Sequence, residues 1–259
     1  MYVAGIDMGA KFVKVVILND GEIKGKGMAP TGFDLDEAAN NAFNSALEDA
    51  GIQKDDIKHI TSTGAGKKEV DFRNTEVTEV GAAAKGAISL FPSSRTIIEV
   101  GAEEGRALRS DENGRVLDFV INEKCAAGAG AFTEAMARAL EIPVTEMGPL
   151  SLKSTKETPM NAQCAVFAES EVVSLVHSKT SKEDIARAIH DAIASRISSM
   201  VRRLSIEKDV TLVGGLAKNI GFVESLKRDL NTDINVPDDP DFVGALGAAL
   251  VAQGKAKGG

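Results

Sequence analysis

The sequence predicts an α/β protein of two lobes around a phosphate-binding cleft, and three observations carry that expectation. A carboxylate-glycine hairpin occurs twice: Ile6-Asp7-Met8-Gly9 opens an apolar run, Phe12 to Leu18, that reaches Asn19-Asp20-Gly21, and Ile98-Glu99-Val100-Gly101 opens a second run that reaches Glu112-Asn113-Gly114. Short apolar runs of strand length alternate with helix-periodic segments along the chain. A chain of 259 residues, 43% hydrophobic and 26% charged, fits two packed lobes better than one.

Each element has a local reason. Asp-Gly and Asn-Gly favour two-residue hairpin turns, because both central positions need positive φ. After the first hairpin, Asp34 to Asp49 reads as a helix with Leu35, Ala38, Ala39, Ala42, Phe43, Ala46 and Leu47 on one stripe, ended by Gly51. Ile57 to Thr63 reads as a strand entering the Gly64-Ala65-Gly66 turn, and Glu79 to Leu90 as an alanine-rich helix closed before Pro92. Thr96 to Val100 begins the second lobe, where Phe119 to Ile121 leads to Cys125-Ala126-Ala127-Gly128-Ala129-Gly130 and a helix over about Ala131 to Glu141. Pro149 to Pro159 reads as a loop before Cys164, and Ala165 to His177 as a helix. Ser181 to Asp184 is a capping box for a long helix carrying Ile185, Ile189, Ile193, Ile197, Met200, Val201 and Leu204. Val210 to Val213 reads as a strand broken by Gly214-Gly215, Phe222 to Leu230 as a helix, Ile234 to Val236 as a strand and Val243 to Ala252 as a small-residue helix, with Gly254 to Gly259 a frayed tail.

Composition excludes several function classes. A net charge of -8 and a pI near 5.1 argue against nucleic acid as the main partner, and Lys67-Lys68 and Arg202-Arg203 are too short to form a basic patch. Without Trp and with 4% aromatics, the core must be built from Ala, Val, Ile, Leu and Met, and stacking platforms for bases are scarce. The start of the chain shows no charged leader followed by an apolar segment, and no window approaches eighteen uninterrupted apolar residues. A cytoplasmic protein with no membrane partner is expected. Two cysteines are too few for a secreted disulfide framework, so each is a buried hydrophobe, a reactive thiol or a metal ligand.

A phosphate chain needs backbone N–H donors brought close by glycine, and magnesium needs carboxylates that hold it through water. Asp7 and Glu99, at matching places in the two hairpins, are the candidates to flank the metal, and Gly9, Ala10 and Lys11 to hold phosphate. Two acids that merely cap turns are the bland alternative. The run Val210 to Asn219 places Gly214 and Gly215 where the chain can pass beside a flat ligand such as adenosine, with Asn219 as a polar anchor; its alternative is a plain strand-to-helix turn. The small residues from Gly244 to Ala249 suit close helix contact at a hinge, or a tightly packed last helix. Gly64-Ala65-Gly66-Lys67-Lys68 is not a P-loop, because Thr61 stands where the first glycine is required and Lys68 where Ser or Thr is required, and no Gly-x-Gly-x-x-Gly follows a strand. His59, His177 and His190 are too scattered for a metal site, and Lys11 and Lys14 read more readily as solvated hairpin lysines than as phosphate ligands. Glu79 and Glu169 stand at helix starts, where glutamate usually serves the dipole.

These four elements, in this order, resemble the nucleotide site of the actin, sugar kinase and Hsp70 superfamily. That resemblance implies two RNase H-like lobes around a nucleotide cleft, residues 1–94 with 241–259 forming the first and 95–240 the second, which holds both cysteines. Each cysteine stands just before an expected helix, whose positive N-terminal end favours a thiolate. The stretches Lys124 to Phe132 and Cys164 to Glu171 resemble the two signatures of the ATPase family that contains the activators of 2-hydroxyacyl-CoA dehydratases and the ATP-binding subunits of benzoyl-CoA reductase, and the similarity covers essentially the whole chain. It implies ATP/ADP and Mg2+ in the cleft and one 4Fe-4S cluster shared between two subunits, with Cys125 and Cys164 as this chain's ligands. It further implies a second ATPase subunit, either a paralogue or another copy, an acyl-CoA reductase or dehydratase component, and a ferredoxin-type electron donor.

One stretch departs from the activators. Their second phosphate element usually reads Asp-Ile-Gly-Gly-Gln-Asp, whereas this chain has Glu99, Val100, Gly101, Ala102, Glu103 and Glu104. Glu99 lengthens the reach to magnesium and Glu103 adds negative charge near phosphate, so Glu99 and Glu103 join Asp7 as catalytic candidates, with Gly101 and Ala102 as phosphate donors. This variant also resembles the shorter ATPase subunit of benzoyl-CoA reductase. The expectation is therefore the electron-activating ATPase subunit of that reductase, coupling MgATP hydrolysis to low-potential electron transfer. The alternatives are a homodimeric dehydratase activator and, more remotely, a sugar or acyl kinase or an actin-like structural protein of the same fold.

Overall fold

Two five-stranded sheets share one strand plan. In a computed structural model that describes residues 1–122, 128–160 and 165–258, the first sheet contains β1 (Tyr2–Met8), β2 (Phe12–Asn19), β3 (Glu22–Pro30), β4 (Ile57–Thr63) and β5 (Thr75–Glu76) in the order β3-β2-β1-β4-β5. The second contains β6 (Thr96–Val100), β7 (Gly105–Ser110), β8 (Val116–Asn122), β9 (Val210–Val213) and β10 (Ile234–Asn235), and read from its other edge it runs β8-β7-β6-β9-β10. Each sheet is an antiparallel three-strand meander to which two further strands add in parallel. The duplication visible in the hairpins thus extends to all ten strands.

The first hairpin turn forms as expected: Asp20 (φ +51°) and Gly21 (φ +93°) both take positive φ, and Asn19 pairs with Glu22. The second does not. Only Gly114 has positive φ (+70°), and the Asp111 carboxylate accepts from the N–H groups of Asn113 (2.9 Å) and Arg115 (2.8 Å), making a longer turn organised by an Asx motif.

Helix α1 (Leu35–Ala50) is capped by Asp34 and closed by left-handed Gly51, and it lays its buried stripe on β3. Helix α2 (Glu79–Leu90) rests its alanine face, Ala83, Ala84 and Ala87, on Ile97, Leu108 and Val213 of the second sheet. Helix α8 (Val243–Gly258) instead covers Val3, Val16 and Leu18 of the first sheet. The two helices cross at Gly86 and Gly247, where a Cβ on either would collide with backbone of the other helix, at Val243 and Ala82. The expected frayed tail is helical through Gly258, because Ala252 is buried and Ala256 packs on the same cluster.

The second lobe adds α3 (Ala129–Ala139), α4 (Val144–Ser151), α5 (Ala165–His177), α6 (Lys182–Val201) and α7 (Ile220–Leu230). The isoleucines of α6 are buried against Phe132, Met136 and Met147, forming the largest core cluster. Helix α3 starts two residues earlier than expected, and α4 fills a stretch to which the sequence assigned no element, running on into the first residues of the expected loop at Pro149. Among the described residues no helix is long and apolar enough to cross a membrane.

Candidate functional site

A cleft of about 620 Å³ opens where both meanders turn, and the two carboxylate-glycine loops line it together. Asp7, Gly9, Ala10 and Lys11 face it from the first sheet; Glu99, Gly101, Ala102 and Glu103 face it from the second; Gly215 and Asn219 line it from the turn that follows β9. Gly214 lies just behind this wall. Cys125 and Cys164 lie outside the described residues.

Two of the candidate acids, Asp7 and Glu99, have a cation directly across the hairpin. Asp7 is in register with Lys14, whose Nζ lies 3.4 Å from Oδ2, and Glu99 is in register with Arg106, whose Nη1 donates to Oε2 at 3.0 Å. Both pairs are mostly enclosed, with side chains 12 to 17% exposed. Lys14 is therefore a cleft residue and not the solvated hairpin lysine that its place in the sequence suggests. Burial raises the Glu99 pKa above the ordinary carboxylate value; Arg106 opposes that shift, while the negative charge of Asp7 across the cleft adds to it. Burial works against the Arg106 guanidinium too, but Glu99, Glu104 and Glu79 more than offset it and hold Arg106 firmly charged. Arg106 also pairs with Glu104, so this one guanidinium offsets part of the charge that Glu99, Glu103 and Glu104 bring together.

The parallel strands end alike. Gly64 after β4 and Gly214 after β9 both have φ +91°, and a Cβ on either would stand 2.5 Å from a carbonyl oxygen, Met8 O or Val100 O respectively. Both glycines let the chain press against the strand that carries the acid, beside Asp7 in one lobe and Glu99 in the other. The Gly64 segment is no P-loop, yet Gly64 and Ala65 line the cleft and Gly66 N–H bonds Met8 O at 3.1 Å.

The two phosphate-loop candidates are held from behind. Thr31 donates from Oγ1 to Gly9 O (2.7 Å) and from its N–H to Lys11 O (3.0 Å). In the second loop, Gly101 and Ala102 give their carbonyls to the first N–H groups of α3, on Gly130 (3.2 Å) and Ala131 (3.0 Å). The helix that follows the Cys125 stretch is thereby bonded to the candidate phosphate loop, and its Glu134 forms an ion pair with Lys11 of the opposite loop.

At the other end of the cleft, Gly215 has nothing within 4 Å of where a Cβ would stand, so this position faces open space. The Asn219 side chain is already engaged: Oδ1 accepts from Gly221 (3.1 Å) and Phe222 (3.2 Å) as N-cap of α7, and Nδ2 meets His190 Nε2 at 3.0 Å. This cap is why α7 starts at Ile220, two residues before the expected start. His190, on α6, is fully buried in the core; its Nδ1 has no hydrogen-bond partner among the described residues, and burial lowers its pKa to about 4. Val144, Thr145 and Gly148 of α4 line the same cleft, with Gly148 beside Asn219.

The sequence reading missed Lys14, Arg106, Gly64, Thr31, Glu134, His190 and the α4 wall. For two of them a signal was present: Asp7 to Lys14 and Glu99 to Arg106 repeat the same seven-residue spacing, which a tight hairpin converts into a facing pair.

The chain is similar to known proteins over nearly its whole length. The chain is 39% identical to an activator of lactoyl-CoA dehydratase from Anaerotignum propionicum, over 97% of each chain. It superposes on the activator of 2-hydroxyisocaproyl-CoA dehydratase from Clostridium difficile with bound ADPNP at a TM-score of 0.94 and 38% identity, covering 100% of this chain and 96% of that one. It superposes on component A of the (R)-2-hydroxyglutaryl-CoA dehydratase of Acidaminococcus fermentans at 0.96 and 36%, covering 99% of each. A benzoyl-CoA reductase subunit of Thauera aromatica is 32% identical over 96% of this chain and 91% of its own length. A glucokinase of the ROK family from Streptomyces griseus, at a TM-score of 0.62 and 13% identity, covering 98% of this chain and 100% of that one, shares the fold alone. The fold is thus that of the actin and sugar kinase class, and over residues 4–252 the chain belongs to the BadF/BadG/BcrA/BcrD ATPase family.

Proposed function

We propose that this protein is the homodimeric, ATP-hydrolysing activator of a 2-hydroxyacyl-CoA dehydratase. The carrying observation is that the duplicated loops converge on one cleft in a chain that matches dehydratase activators end to end at 36 to 39% identity. The benzoyl-CoA reductase reading drawn from the Glu99 and Glu103 variant is less favoured, since the matching reductase subunit is the more distant relative at 32%. A sugar or acyl kinase would leave both cysteines without a role.

In this reading residues 1–94 with 241–259 and residues 95–240 are the two lobes. Backbone N–H groups of Gly9, Ala10, Lys11, Gly101 and Ala102 hold the phosphates of ATP, and Gly214, Gly215 and Asn219 shape the adenosine end. Asp7 and Glu99 hold Mg2+ through water from opposite walls, with Glu103 beside them. Among the described residues no three His, Cys, Asp or Glu side chains converge on a point, which suits magnesium bound by one or two carboxylates, water and substrate phosphate. Lys14 and Arg106 pair with the two acids and hold them in direction until the metal arrives.

Cys125 and Cys164 together offer half of a four-thiolate set, so the donor chemistry fits a 4Fe-4S cluster completed by a second copy of the chain. Bound there, the cluster supplies one-electron transfer at low potential. Helices α3 and α5, which follow the two cysteine stretches, pack against each other, and the α3 bonds to Gly101 and Ala102 would carry a change in the phosphate loop to the thiolate end. The electron would come from a ferredoxin-type donor and pass to the dehydratase component.

Anaerobic reconstitution with iron and sulfide tests the proposal. A dimer holding one four-iron cluster, hydrolysing MgATP and switching on a 2-hydroxyacyl-CoA dehydratase is the expected result. A protein that takes up no iron with both thiols free, or a tight complex with a longer paralogue in place of self-pairing, would overturn it.

A further inference from the structure

We infer that Glu134 of α3 is a positioning residue of the nucleotide site: it holds Lys11 while no phosphate is bound, and an entering polyphosphate takes Lys11 from it and so unties α3 from the first loop. This rests on the nucleotide reading given above and adds to it a residue from the opposite wall.

The two groups come from different lobes. Lys11 lies in the turn between β1 and β2, and Glu134 lies on the second turn of α3, yet their side chains form an ion pair across the cleft and both line it. Lys11 is 46% exposed and Glu134 35%, so the pair is neither buried nor locked by packing. Such a pair is weak and easily exchanged. A triphosphate offers the ammonium several charged oxygens where Glu134 offers one carboxylate, so the exchange favours phosphate.

The consequence lies in what else α3 touches. Its first N–H groups, on Gly130 and Ala131, are bonded to Gly101 O and Ala102 O of the second loop, so α3 is tied to both walls, to the second by backbone and to the first by Glu134. Thr31 fixes the Lys11 backbone through its carbonyl, so the loop itself stays in place and the ammonium alone changes partner. Linkage requires the converse as well: whatever nucleotide does to this pair, the pair does to nucleotide affinity.

The test is a double-mutant cycle on the intact, reconstituted dimer, with MgADPNP as probe and calorimetry as readout. Glu134→Gln should tighten MgADPNP binding by about fivefold, the scale of a released exposed ion pair, and Lys11→Met should weaken it. In the Lys11→Met background, Glu134→Gln should have no further effect. If Glu134→Gln leaves affinity unchanged or lowers it, or gives the same gain without Lys11, Glu134 acts by simple repulsion or not at all and the inference is wrong. Hydrogen exchange over residues 129–139 gives a second readout: MgADPNP should raise exchange in the parent protein, and either single variant should raise it with no nucleotide present. Equal exchange in all unliganded forms would also overturn the inference. A parent protein that binds no MgADPNP removes the nucleotide reading and this inference together, whereas normal binding with a flat cycle removes only the role of Glu134.

Discussion

Arg106 shows how one side chain can decide the character of a site. It stands between Glu99 and Glu104, and its removal would leave Glu99 enclosed without its cation. Arg106→Ala should therefore destabilise the protein by about 3 kcal/mol, the scale of breaking an enclosed pair, and adding Glu99→Gln should recover much of the loss; urea denaturation of the parent and the two variants measures both. Two adjacent glycines should part company in the same way. Gly214→Ala places a methyl group 2.5 Å from Val100 O at φ +91° and should lower the melting temperature, while Gly215→Val points into open cleft and should weaken MgADPNP binding with the melting temperature held. His190 makes stability depend on pH. Its folded pKa of about 4 lies below the ordinary histidine value of 6.5, so the unfolded chain binds the proton first. The full contribution is present above pH 6.5 and is lost as pH falls toward 4, about 3 kcal/mol in all. Denaturation midpoints followed from about pH 7 down to about pH 4 should drop steeply in the parent protein and less so in His190→Gln.

Among the elements, the α2–α8 crossing is the most tightly specified. A methyl group at Gly247 would overlap the Ala82 backbone, so Gly247→Ala should cost about 1–3 kcal/mol by overpacking, read from thermal unfolding. The small-residue run at the end of the chain gave notice of a close contact but not of its partner. Helix α4 went unseen because Gly148 and Pro149 both oppose a helix interior; it forms because Met147 is buried under α6 and Gly148 packs against Asn219 and Ile220. The second hairpin turn followed the side chain of Asp111 and not the φ preference of Asn113-Gly114, a competition that sequence spacing alone leaves undecided.

For the whole molecule, the proposed function gives the chain two duties, nucleotide binding by the cleft residues and iron binding by Cys125 and Cys164. Cys125→Ser should abolish iron uptake in the reconstituted dimer while MgADPNP still binds, since every residue assigned to the nucleotide is kept. Equal loss of both would mean that the second subunit completes the cleft.

Apart from α4 and the second hairpin turn, the strand and helix pattern, the repeated acid and glycine of the two loops, and the two cysteine signatures were legible in the chain, because hydrophobic period, turn chemistry and motif spacing are properties of neighbouring residues. The facing cations Lys14 and Arg106, the placement of α2 on the second sheet and α8 on the first, the burial of His190 behind Asn219 and the Lys11–Glu134 pair were decided only by the tertiary structure. Each depends on strand register or on contact between segments far apart in sequence, and no local preference encodes which remote side chain a carboxylate will meet.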